Sequence, residues 1–98
     1  MESNDDKLIP LFTHKVKLPK LKYRKLGKEK SWGQYHSTDN LIEIDERLKG
    51  KKLLEMTTHE SIHAFRKDFT ENEVRLLSRQ LCELLWKEGW RKVDNNEK

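Results

Sequence analysis

Thr57-Thr58-His59-Glu60-Ser61-Ile62-His63-Ala64-Phe65 is the stretch on which the reading of this chain turns. It contains neither glycine nor proline. Together with the residues from about Lys51 it places Leu54, Thr58, Ile62 and Phe65 at spacings of four, four and three, the stripe of an amphipathic helix. On such a helix His59 and His63 stand one turn apart on the same face, so two imidazoles can reach one Zn²⁺ ion without bending the backbone. Glu60 is turned by about 100° from His59, away from the position of a ligand and toward that of a general base acting on a water at the ion. Polar groups in this inward sector would be costly to bury without a ligand to satisfy them.

A catalytic zinc takes a third protein ligand and keeps a position open for water. Downstream of His63 the acids in reach are Asp68, Glu71 and Glu73. Asp68 falls in the reversal Lys67-Asp68-Phe69, where a turn or cap is its ordinary role. Thr70-Glu71-Asn72-Glu73 fits a capping box in which Glu73 returns to the Thr70 amide. The second helix then carries Val74, Leu77, Leu81 and Leu84/Leu85 on one face and stops at Gly89. Glu71 is the preferred third ligand, pointing back at the metal if the two helices pack antiparallel, with Glu73 as the alternative. The short interval from His63 to Glu71 demands a tight turn.

Upstream, apolar and basic residues alternate from Lys15 to Leu26, with Pro19 interrupting the register. That pattern reads as an edge strand or a bent pair of short strands with the lysines toward water. Gly27 to Lys30 forms a turn, and Ser31 to Ser37 a second strand. Ser37-Thr38-Asp39-Asn40 forms another turn, and Leu41-Ile42-Glu43-Ile44-Asp45 a half-buried strand with Ile42 and Ile44 on its inner face. The expected fold is α+β: a small antiparallel sheet of about three strands packed on the helix that carries the histidines and on a second, C-terminal helix. Residues 1–14 form an N-terminal arm, 15–93 a single minimal domain and 94–98 a polar tail.

Ninety-eight residues exclude a multidomain assembly, and the aliphatic and phenylalanine core is thin beside 39% charged residues. The lone Cys82 cannot form an intrachain disulfide, so a packed role on the second helix is expected, with Trp86 and Trp90 covering the end of the core. No apolar run approaches a membrane span, and residues 1–6 lack a basic lead into a signal peptide, so no membrane partner and a cytoplasmic location are expected. The net charge of +4 is uneven. Lys15 to Lys30 holds eight basic side chains against Glu29 alone, and the remainder is net negative. Such a segment is either a solvated sheet edge protected against aggregation or a contact for DNA or a DNA-bound protein, with Lys20, Lys22 and Arg24 as the contacting residues.

Trp32-Gly33-Gln34-Tyr35, Leu41 to Asp45 and Thr57 to Phe65 together resemble the small zincin-type metallopeptidases of the SprT-like and ImmA/IrrE-like kind, including short phage and mobile-element versions. Glu71-Asn72-Glu73-Val74-Arg75 is similar to the E-x-E-A-N stretch of the latter, departing from it at Val74-Arg75. The resemblance spans about residues 31–89. It implies His59, His63 and Glu71 as zinc ligands in a gluzincin-like arrangement, Glu60 as general base, and a protein or peptide substrate, cleaved in the host cytoplasm if the chain is phage-encoded. It also implies that Leu41 to Asp45 serves as an edge strand beside an extended peptide. Tyr35 or His36 would steady the oxyanion. The competing reading is a metal-stabilised, non-hydrolytic module that binds nucleic acid or a regulator through residues 15–30.

Overall fold

The computed structural model describes residues 17–27 and 31–93. The residue 1–14 arm, the tail from Asp94 and part of the basic segment lie outside the described residues. Three strands, β1 (Lys20–Arg24), β2 (Gly33–His36) and β3 (Leu41–Asp45), precede two helices, α1 (Gly50–Phe65) and α2 (Glu71–Lys87). The architecture is α+β, and no helix among the described residues is long and apolar enough to cross a membrane.

The sheet is mixed rather than antiparallel. Its order is β1-β3-β2, with β2 antiparallel and β1 parallel to β3. The β2–β3 hairpin turns through Ser37 to Asn40, and Asn40 takes the left-handed conformation (φ 51°) that asparagine tolerates better than most residues. β3 is therefore the central strand and is buried on both faces, not half-buried as its alternation suggests. Ile42 and Ile44 enter the core, whereas Glu43 and Asp45 are buried on the opposite face because cations and donors close over them. Arg24 donates to both Glu43 oxygens at 2.7 and 3.0 Å, Gln34 Nε2 donates at 3.2 Å, and His36 Nε2 lies 2.9 Å away. Asp45 accepts from the Leu26 amide at 3.0 Å and from Arg47 Nε and Nη2 at 2.8 and 2.7 Å. All five residues of β1 are exposed, including Leu21 and Tyr23.

α1 lies against the Ile44 face of the sheet. A Cβ on Gly33 would come within 2.8 Å of Met56 Cγ and 3.2 Å of both Glu60 Cγ and Ile44 Cδ1, so the missing side chain is what lets β2 sit on the helix. Of the expected stripe on α1, Ile62 is buried and Leu54 and Thr58 are half-buried, but Phe65 at the helix end is 52% exposed. α2 begins with the anticipated capping box: Glu73 N–H donates to Thr70 Oγ1 at 3.1 Å, and Thr70 N–H to Glu73 Oε1 at 2.8 Å. It ends in a Schellman motif, with Gly89 N–H donating to the Trp86 carbonyl and Trp90 N–H to that of Leu85, both at 3.0 Å. Gly89 has the positive φ of 96° this ending requires.

The buried seam of α2 is Val74, Ser78 and Cys82, displaced from the leucine face read from the sequence. Leu77, Leu81 and Leu85 flank it half-buried, and Leu84 is 57% exposed. Small side chains at spacings of four allow a close approach to α1, and Cys82 Sγ lies 3.7 Å from the Lys51 carbonyl. Trp90 is 63% exposed, so only Trp86 contributes to that end of the core.

Two outcomes follow for stability. Arg24 above all, then His36, holds the Glu43 carboxyl against its burial at about 2, below its ordinary 4.5, and Arg47 likewise depresses Asp45. A carboxyl whose pKa is lower folded than unfolded stabilises above the unfolded value, and that stabilisation is lost as pH falls through the folded one. The midpoint of urea unfolding is expected to drop between pH 4.5 and about 2, and Glu43→Gln to flatten part of that slope. Gly33→Ala should cost about 1–3 kcal/mol in the same assay through overpacking against Met56.

Candidate metal centre

α1 and α2 form an antiparallel hairpin: Lys51 near the start of α1 pairs with Glu83 near the end of α2 at 2.7 Å, while His63 meets Glu71 at the other end. The five residues between the helices are held by Arg66, which donates to both Asp68 oxygens at 2.9 and 2.6 Å and lies over the Phe69 ring. That grip spends Asp68, and the capping box spends Glu73. Glu71, on the first turn of α2, is left to face α1.

His59 and His63 stack edge-on one turn apart, with ring centroids 5.0 Å apart. Glu71 Oε1 is 2.8 Å from His63 Nε2, and Oε2 is 3.1 Å from His59 Nε2. The donor atoms of the three residues lie within 4.8 Å of one another. Donors on a zinc tetrahedron with bonds of about 2.0–2.1 Å stand roughly 3.3 Å apart, so small side-chain shifts bring this set to that spacing. Two imidazoles and one carboxylate also match zinc in chemistry, with room for a fourth, exchangeable position.

The electrostatics act in opposite ways on His59 and Glu71. Burial lowers the His59 pKa, with His63 and Arg75 adding to the effect and Glu71 opposing it. Burial alone would raise Glu71, but the hydrogen bond with His63 and the charges of His59, His63 and Arg75 outweigh it and leave the carboxyl below its ordinary value. Arg75, one turn along α2, lies 3.3 Å from Glu71 Oε2 and occupies the position where the E-x-E-A-N pattern has Asn.

Glu60 is turned from this trio toward the sheet and is buried beneath Gly33. Its carboxyl makes no hydrogen bond to another described residue. Burial, reinforced by Glu71 and opposed by His63 and His36, raises its pKa to about 7. Neighbouring charge of either sign moves such a group strongly, and a dication held by the trio would favour its carboxylate form. Together these side chains line one wall of an open cleft of about 590 Å³, whose other wall is β2 from Gly33 to Tyr35 with Ser37.

Other expectations are corrected by the fold. Leu41 to Asp45 cannot serve as an edge strand, because β1 and β2 occupy both its edges. The strand beside the cleft is β2, whose outer edge carries no partner strand among the described residues. His36 projects from the sheet face opposite Gly33 and Tyr35 and is engaged with Glu43. Tyr35 lines the cleft, but its hydroxyl donates to Asn40 Oδ1 at 2.9 Å. Lys20, Lys22 and Arg24 stand on the sheet edge remote from β2, and Arg24 is paired with Glu43. Lys67 joins the cleft without having been singled out, although its place one more step of four beyond His59 and His63 is visible in the sequence.

No family model matches this chain, and neither the curated proteins nor the solved structures include a match.

The site predicts a division between two neighbouring acids. Glu71→Ala should weaken zinc binding at least tenfold in a competition titration with a chromogenic chelator, as should His63→Ala. Glu73→Ala should keep the metal and lose about 1 kcal/mol of stability with its cap.

Proposed function

We propose that the protein is a zinc-dependent peptidase that hydrolyses a peptide bond, with His59, His63 and Glu71 holding the metal and Glu60 as the general base. The observation that carries this reading is the meeting of the three donor side chains beside a buried glutamate, all at one open cleft. Bound zinc supplies a Lewis acid and brings the pKa of a water near 7. Glu60 takes the proton of the attacking water and returns it to the departing amine. A dication held by the trio would keep Glu60 in the carboxylate form that a base requires. Gly33 gives Glu60 its position by leaving space for its Cγ.

The form of the cleft supports an extended peptide as substrate. Asp45 N–H donates to the Trp32 carbonyl at 2.9 Å, and the alternation of an antiparallel ladder then turns the backbone groups of Gly33 and Tyr35 to the open edge of β2. Ser31 Oγ donates to the Gly33 carbonyl at 2.6 Å and accepts from its amide at 3.2 Å. The Tyr35 amide and carbonyl are the pair left to bind a substrate strand.

Glu60→Gln separates this reading from a metal-stabilised, non-hydrolytic module. The variant should retain one zinc per chain by elemental analysis and lose at least a hundredfold of kcat against a casein-derived peptide mixture followed by mass spectrometry. Zinc bound by a wild-type protein that cleaves nothing, or full cleavage by the variant, would eliminate Glu60 as the base.

A further inference from the structure

Resting on the peptidase reading, we infer that Lys67 determines specificity by pairing with a carboxylate side chain of the substrate next to the scissile bond. Lys67 is the lysine that lines the cleft, and the arginines of the adjoining turn and of the start of α2 are engaged with other side chains. Arg66 is clamped by both oxygens of Asp68, and Arg75 is shared between Glu71 and Asn72. Lys67 lines the cleft and has no ion pair or hydrogen bond with another described residue. Its Nζ lies 6.0 Å from the centroid of the Tyr35 ring, at the outer limit of a cation–π contact.

That position bridges the two walls. Lys67 stands in the turn beyond α1 and leans toward Tyr35, the residue whose backbone is open at the β2 edge. A peptide added to that edge would lie beside both residues. The side chains of an added strand alternate, so one directed into the cleft meets the metal side and Lys67 together. A role in steadying the oxyanion is the weaker assignment for this lysine, since such a donor must be fixed beforehand and Lys67 is exposed, with no hydrogen bond or ion pair to another described residue. An exposed ammonium with no ion pair among the described residues suits recognition of a carboxylate.

The test measures peptide binding as well as turnover. Zinc-loaded Glu60→Gln protein is titrated with matched peptides that carry Asp, Asn or Lys at each position flanking the bond that the wild type cleaves, or of a scanning peptide set if it cleaves none. The expected result is that Asp at one position binds about five- to tenfold more tightly than Asn at low salt, with Lys weaker still. The preference should shrink as salt rises. Lys67→Arg should keep it, Lys67→Glu should reverse it, and Lys20→Glu on the remote strand, which makes the same change in net charge, should leave it in place. An Asp preference that survives Lys67→Glu would mean that the peptide carboxylate ligates the zinc directly, and would overturn the proposal. So would equal binding of the three peptides. Absence of cleavage by the wild type defeats the peptidase reading by itself, while the binding ratios still decide the assignment of Lys67.

Discussion

One carboxylate reaching across from α2 to two imidazoles on α1 is the contact around which this small molecule is arranged. The two histidines are brought together by the helix alone, since four residues make about one turn. The acid comes from another element, and its arrival depends on the five-residue connection being short and fixed. Arg66 and Asp68 fix it, and the capping box sets where α2 begins. With Glu73 returned to the Thr70 amide, Glu71 is the acid of the first turn left facing α1. The neighbouring glutamates thus divide the work: one starts the helix, the other looks across it.

The sheet is held by a different balance. Six apolar residues make up the buried core among the described residues, few for a chain with one cysteine and no disulfide. The opposite face of the central strand is buried too, but through Glu43 and Asp45 beneath arginine side chains. Both oxygens of each of these carboxylates have hydrogen-bond partners, which is the condition under which a polar layer of this kind is tolerated. Gly33 links this sheet to the candidate site, since the space it leaves is filled by Met56 and Glu60.

Local features were the ones the sequence displayed. The helix bearing His59 and His63, the capping box at Thr70, the turn at Ser37 to Asn40 and the stop at Gly89 each depend on residues within a few positions of one another. Strand order did not show, because alternation identifies a strand and one buried face without naming its neighbours. Hence the parallel pairing of β1 with β3, and with it the central place of Leu41 to Asp45, came from the fold. The burial of Glu43 and Asp45 is not visible in the sequence, because their arginine partners cannot be assigned from spacing alone. The α2 seam was misplaced toward the leucines because close helix packing selected the smaller Ser78 and Cys82.

The strand order also sets a timetable for folding. β2 with β3, and α1 with α2, are hairpins of neighbouring segments, and contacts of short sequence separation form at the smallest loop-closure cost. β1 pairs in parallel with a strand about twenty positions further on, with β2 lying between them in the chain. It is made first and can be placed only after β3 exists. Everything that surrounds the three donor side chains belongs to the two local hairpins and their turns, so the centre can assemble before its oldest strand has found a partner.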